Sequence, residues 1–265
     1  MRNSAGDAPV ALGLLRHSPP WQWPGTAYYF AGVLARKLLG LRLFQQRVLR
    51  FGDLQCQVDV EGGCGLVFLY EIWVKKTYDA LIPPQHSNQQ VLFDVGANCG
   101  FFALRCCLQN PDLLAYCFEP HPRTFRVLGR NIELNGLAKR MTALPRAVGA
   151  TSGQCRIELN DSSSMAVVTQ NRSGSAEGAS SIDVPLVALD DFCRERRVWP
   201  DVLKIDVEGF EVEVLTGAAE CLRRAKRLVV EFHSESLRVR CLEILSPGFE
   251  THTAGTLIFA EAKSG

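Results

Sequence analysis

A chain of 265 residues with 47% hydrophobic and 22% charged side chains carries enough apolar material for one large domain and a terminal extension, and a second full domain is not expected. The 29 Lys and Arg are nearly matched by 28 Asp and Glu, so the net charge of +1 provides no field that would draw the chain to nucleic acid or an anionic surface. Ten cysteines are scattered without a Cys-x-x-Cys pair, and Cys106, Cys107 and Cys117 fall inside apolar runs; the pattern predicts reduced thiols in a cytoplasmic protein rather than a disulfide framework.

Residues 1–25 are rich in Pro, Gly, Ser and Asn and predict a poorly ordered lead-in. Residues 26–47 predict a basic helix. Its apolar run is broken by Arg36, Lys37 and Arg42, which are costly in hydrocarbon, so the helix either packs on the domain or makes peripheral contact with a membrane surface. From Val48 to Val74, LQCQVDV alternates, Gly62, Gly63 and Gly65 suggest a turn, and LVFLYEIWV reads as a second strand, which predicts a small β-hairpin. A short helical piece over Lys75 to Leu81 completes an extension spanning 26–82, and the break at Pro83 and Pro84 opens the main domain, 83–265.

The strongest chemical signal is VLFDVGANCG, residues 91–100: a short apolar run ends in an acid and then breaks at Gly96 and Gly100 before the helical run FFALRCCL. In an open α/β sheet such a turn lies at the ligand edge. A dinucleotide fingerprint aligned on Gly96 requires glycines where this chain has Asn98 and Phe101. An acid before the glycines disfavours pyrophosphate and suits a ligand with ammonium and sulfonium charges, as S-adenosylmethionine (SAM) has. LLAYCFEP then predicts a second strand ending on Glu119, placed to accept the hydroxyl protons of an adenosyl ribose; such bonds to a charged acceptor contribute roughly 1.5–3 kcal/mol each.

Pro122 opens a predicted helix, TFRVLGRNIELN, capped at Gly136, and MTALPRAVG predicts a third strand. Between Thr151 and Ser181, CRIEL suggests one short strand, and the small, polar remainder predicts a mobile substrate lid. After DVPLVAL, Asp190 is expected to cap a short helix through Arg197. PDVLKIDVEG predicts a strand ending in Asp206 and Glu208, and one helix with Val212, Leu215 and Leu222 on one face follows. KRLVVEFHSE predicts a fifth strand ending on Glu231 and His233, and FETHT with TLIFAEA an antiparallel hairpin at the sheet edge. The alternation predicts an α/β fold with a mostly parallel, seven-stranded sheet, the arrangement of class I methyltransferases.

Parallel strands that end together would gather Asp206, Glu208, Glu211, Glu231 and His233 at one edge. Crowded acids repel, so something positive is expected there: the sulfonium of SAM, or a divalent metal held by Asp206, Glu231 or His233. Glu208 and Glu211 are also explained by the start of a helix alone. His233 is the side chain best suited to deprotonate an acceptor hydroxyl, with Glu231 or Asp206 assisting.

These motifs resemble the FkbM family of SAM-dependent methyltransferases. The likeness runs from about Tyr78 to Phe232 through VLFDVGANCGFFAL, CFEPHPRTFRVLGRNIELNG, RAVG, VALDDF, DVLKIDVEGFEVEVLTGA and VVEFH. The resemblance implies a class I, Rossmann-like fold and O-methylation of hydroxyls on sugars, glycans or natural products. It also implies a SAM pocket of Asp94, Gly96, Asn98, Gly100 and Glu119, with Asp206 facing the methionine end or the reacting centre. Other readings of the same residues are a nitrogen- or protein-directed methyltransferase and a SAM-binding adaptor without turnover. A glycan or other small-molecule acceptor is the expected partner, and its choice is assigned to the N-terminal 75 residues and the 151–181 loop.

Overall fold

A computed structural model describes residues 46–51, 54–59, 66–82, 90–159, 166–168 and 180–263. The lead-in over 1–25, nearly all of the basic helix over 26–47, with its membrane-contact reading, and most of the lid lie outside the described residues. No helix among the described residues is long and apolar enough to cross a membrane.

The β extension is built differently from the expectation. Strands β1 (Gln46–Phe51) and β2 (Leu54–Asp59) pair antiparallel with each other. LVFLYEIWV is helical: α1 (Leu66–Leu69) runs directly into a π-helical turn, Tyr70–Val74. The run lacks the polar alternation of a half-buried strand, and Leu69 and Ile72 join the core at helical spacing. A 3₁₀ turn, Asp79–Leu81, follows.

The main domain alternates as predicted. Strands β3 (Val91–Val95), β4 (Leu114–Phe118) and β5 (Met141–Leu144) are connected by α2 (Phe101–Gln109) and α3 (Pro122–Leu134). The short β6 (Ala147–Val148), β7 (Gly153–Leu159), β8 (Ala166–Val168) and β9 (Ser180–Val187) form a separate four-stranded sheet. Strand therefore occupies two parts of the stretch read as a lid, because Cys155, Ile157, Val184 and Leu186 alternate inward and close a small core of their own.

After α4 (Leu189–Arg196) come β10 (Val202–Ile205), α5 (Glu211–Thr216), α6 (Ala219–Arg224) and β11 (Arg227–Glu231). The chain ends with α7 (Glu235–Leu245), β12 (Phe249–Ala254) and β13 (Leu257–Ala262). The single helix expected after β10 is broken in two at Gly217, where an added Cβ would stand 2.1 Å from the Gly149 carbonyl oxygen. Asp190 does not cap its own helix: its carboxylate accepts the Glu220 and Cys221 amides at 2.8 and 2.9 Å and so caps α6.

The seven-stranded sheet has the order β12-β13-β11-β10-β3-β4-β5, parallel except where β13 runs against both β11 and β12. This is the predicted class I arrangement with its antiparallel edge hairpin. Strands β3, β10 and β11 are buried almost throughout, as a sheet covered by helices on both faces requires.

One ionic contact ties the middle of the sheet together. Lys204 of β10 is 5% exposed; its Nζ lies 3.2 Å from Asp94 Oδ1 and 3.5 Å from Asp206 Oδ2, and donates to the Gly96 carbonyl at 3.0 Å. Burial opposes the lysine's charge, but the two aspartates outweigh it and hold its pKa above the ordinary value. Lys204→Met leaves Asp94 as an uncompensated buried anion and is expected to lower the unfolding free energy by about 3–5 kcal/mol. The double variant Lys204→Met/Asp94→Asn should recover a large part of the loss, measured by urea titration.

Candidate functional site

A cavity of about 500 Å³ opens at the carboxyl ends of β3, β4, β10 and β11, at the edge where ligands bind in open α/β sheets. Its floor is the turn after β3. Gly96 has φ of +74°, and an added Cβ would stand 1.8 Å from the Asp206 carbonyl oxygen, so only glycine lets β3 and β10 approach this closely. Asn98 follows at φ +52°, and its side-chain oxygen accepts the Cys99 amide at 2.8 Å.

Glu119 stands beside this turn, 4% exposed. One carboxylate oxygen accepts the Asn98 amide at 2.8 Å; the other accepts the His121 amide at 2.8 Å and the Thr124 hydroxyl at 3.2 Å. Burial pushes its pKa up to about 7, against the pull of these donors. The carboxylate is thereby aimed and held at the cavity wall by the backbone of both flanking turns.

Across the turn lie the other acids. Asp206 and Glu208 line the cavity with His233, whose ring sits between carboxylates: Nδ1 is 2.5 Å from Glu211 Oε1, and Nε2 is 3.2 Å from Glu208 Oε2 and 3.9 Å from Asp206 Oδ1. Burial alone would lower the imidazole's pKa, but the two glutamates raise it to about 10. Glu208 adopts φ of +51°, followed by Gly209 at +98°, so the chain reverses tightly and presents Glu208 to the ring before α5 begins. Glu231 is held apart from the imidazole: it accepts the Tyr78 hydroxyl at 2.7 Å and the Thr256 hydroxyl at 3.4 Å, and burial followed by repulsion from Asp206 raises its pKa.

Gly96, Asn98, Glu119, Asp206, Glu231 and His233 thus all line one cavity. Asp94 and Gly100 do not. Asp94 is wholly buried beneath the turn and spends its charge on Lys204. Gly100, at φ +80°, starts α2, and an added Cβ would meet Leu128 Cδ1 at 2.4 Å. The site also contains residues absent from the sequence reading. Lys204 was detectable as a lone cation inside an apolar strand. Tyr78, Phe68, Glu71 and Ile72 of the extension form a cavity wall, and Arg146 lines the side beyond Glu119. No local pattern announced these.

The extension is latched onto the site. Arg105 of α2, 5% exposed, donates to the carbonyls of Ile72 and Trp73 at 3.0 and 3.2 Å and to Asp79 at 2.9 Å. Cys99, in the turn itself, lines the cavity. The eight other described cysteines are free and buried.

The model of the Methyltransferase FkbM domain matches residues 94–246, more than half of the chain. The hexuronic acid methyltransferase AglP of Haloferax volcanii is 28% identical over 155 residues, 58% of this chain and 60% of that protein. The methyltransferase sdnD of Sordaria araneosa is 31% identical over 183 residues, covering 58% and 69%, and the 2-O-methyltransferase NoeI of Sinorhizobium fredii is 27% identical over 195 residues, covering 66% and 78%. The solved FkbM methyltransferase of Methylobacillus flagellatus aligns with 74% of this chain and 53% of its own at a TM-score of 0.48 and 16% identity. By its sequence, the chain belongs to the FkbM methyltransferase family.

Proposed function

We propose that this chain is a SAM-dependent O-methyltransferase acting on a hydroxyl of a sugar, glycan or natural product. The observation that carries the reading is Glu119: a buried carboxylate, fixed by two backbone amides and aimed into the cavity beside a glycine turn, is the partner a ribose diol needs. The cavity fits the rest of SAM by charge, since Asp206, Glu208 and Glu231 line the side where an ammonium and a sulfonium would lie. Gly96 and Asn98 supply the turn under the ligand. Asp94 and Gly100 support that turn from beneath. Two relatives named for a hexuronic acid and for a 2-O position favour an oxygen of a sugar as acceptor over nitrogen.

When bound, SAM supplies a methyl group that passes to the acceptor oxygen as its carbon–sulfur bond breaks and S-adenosylhomocysteine leaves. The protein's part is to align the acceptor, exclude water and receive the hydroxyl proton, and positioning supplies most of the acceleration. His233, Asp206 and Glu231 are the proposed catalytic group. Held between Glu208 and Glu211 the ring is an imidazolium; it becomes a base in states where Glu208 has left Nε2, with Asp206 as the neighbouring carboxylate and Glu231 kept in place by Tyr78. A divalent cation held at this edge would occupy Nε2 and stand in for the imidazole, lowering the pKa of the acceptor hydroxyl in place of a protein base.

Two measurements test the assignment. Glu119 is protonated below about pH 7, and only the carboxylate accepts both ribose protons, so SAM affinity by calorimetry should rise from pH 6 to pH 8. Glu119→Gln should bind SAM at least about 10-fold more weakly and lose that rise; wild-type-like affinity in the variant removes Glu119 from the pocket. In a transfer assay with labelled SAM and a panel of sugar-bearing acceptors, including hexuronides, His233→Ala should lower kcat by about 10²–10⁴ with little change in SAM affinity. An unchanged kcat places proton removal elsewhere.

A further inference from the structure

Beside the cofactor pocket, a three-ligand constellation is already assembled. One oxygen of Asp206, one oxygen of Glu208 and one ring nitrogen of His233 all lie within 4.8 Å of one another. The separations from Nε2, 3.2 Å to Glu208 and 3.9 Å to Asp206, are close to those between neighbouring ligands around one small divalent ion with bonds of about 2.1–2.4 Å. Two elements bring the donors together: Asp206 and Glu208 come from the turn after β10, where the positive φ of Glu208 points it back at the ring, and His233 comes from the turn after β11.

Glu211 is the independent observation. It is 0% exposed, its Oε1 stands 2.5 Å from His233 Nδ1, and it also accepts the Gly209 amide at 2.9 Å. Its second oxygen, Oε2, is buried without a hydrogen-bond partner. A buried carboxylate bound to the far nitrogen of an imidazole is the support that fixes a metal-ligating histidine's tautomer and aims its other nitrogen. Without a cation opposite, Glu208 and Glu211 share a single imidazole, Asp206 shares Lys204 with Asp94, and Glu211 is wholly buried and half-satisfied, an arrangement that costs free energy.

We infer that Asp206, Glu208 and His233 form a binding site for one divalent cation, with Glu211 as the positioning residue that orients the imidazole. The ligand set differs from the sequence expectation by taking Glu208 in place of Glu231, which Tyr78 and Thr256 hold away from the ring. The mix of two hard oxygen donors and one imidazole suits a first-row divalent ion such as Mn²⁺ better than Mg²⁺, which prefers oxygen ligands alone. The site does not rest on the methyltransferase reading; with the cation on Asp206 and Glu208, the acid left to face the positive end of SAM is Glu231, which lines the same cavity.

The test uses the full chain and Mn²⁺ alone, followed by electron paramagnetic resonance, with and without SAM. One saturable Mn²⁺ per chain is expected. Asp206→Asn and Glu208→Gln should each weaken uptake at least about 10-fold, Glu211→Gln by about 10–100-fold, and Tyr78→Phe and Glu231→Gln should leave it near wild type. Thermal melting of each variant confirms that it is folded. Absence of saturable uptake by the wild type at millimolar Mn²⁺ overturns the inference. Wild-type uptake by Glu208→Gln together with loss in Glu231→Gln overturns the ligand set. SAM calorimetry on the same preparations keeps the two readings apart: a chain that takes up Mn²⁺ and not SAM refutes the cofactor assignment alone.

Discussion

The site depends on one buried cation. Lys204 is the point where β3, β10 and the ligand turn meet: it neutralises Asp94 below the turn, faces Asp206 above it, and holds the Gly96 carbonyl. Its charge survives burial only because two carboxylates converge on it, and Asp94 tolerates complete burial only because the lysine is there. Aligning two strands at Gly96, where their backbones would collide around any side chain, requires such a fastening. The glycine and the ion pair are two parts of one joint.

Around that joint the chemistry is divided by strand. The end of β4 offers one desolvated carboxylate, surrounded by amide donors; the ends of β10 and β11 offer several acids around one imidazole. Both groups line the one cavity whose floor is the turn at Gly96. A ligand with neutral hydroxyls at one end and positive charge at the other fits this polarity, and a diphosphate would meet carboxylates on both sides.

Much of this was legible in the sequence because it follows from strand ends. The apolar runs ending at Asp94, Glu119, Asp206 and Glu231 located four neighbouring strands, and the position after β11 placed His233. The orientation of Asp94 was not legible. An acid before a glycine turn reads as a ligand contact, but the register of β3 against β10 sets Asp94 beside Lys204, a partner far along the chain. LVFLYEIWV was misread because a short apolar run has no decisive period, and the wall it helps to build exists only after Arg105 has captured the Ile72 and Trp73 carbonyls. Glu211 was legible both as a member of the acid cluster and as a helix-start acid, and the turn after β11, which brings His233 to it, decides for the first.

Two asparagines, one in α3 and one at its C-terminal cap, carry a consequence of their own. Asn131, fully buried, donates to the Cys99 carbonyl at 3.0 Å and accepts the Gln57 amide at 2.6 Å, while Asn135 exchanges hydrogen bonds with both backbone groups of Gln55. A single side chain therefore touches the ligand turn on one side and the N-terminal hairpin on the other. Any ligand that tightens the turn also reduces the freedom of that hairpin, and by reciprocity anything that grips the hairpin sharpens the turn. The N-terminal extension, outside the residues that the family model matches, is in this sense an input to the cavity as well as its wall.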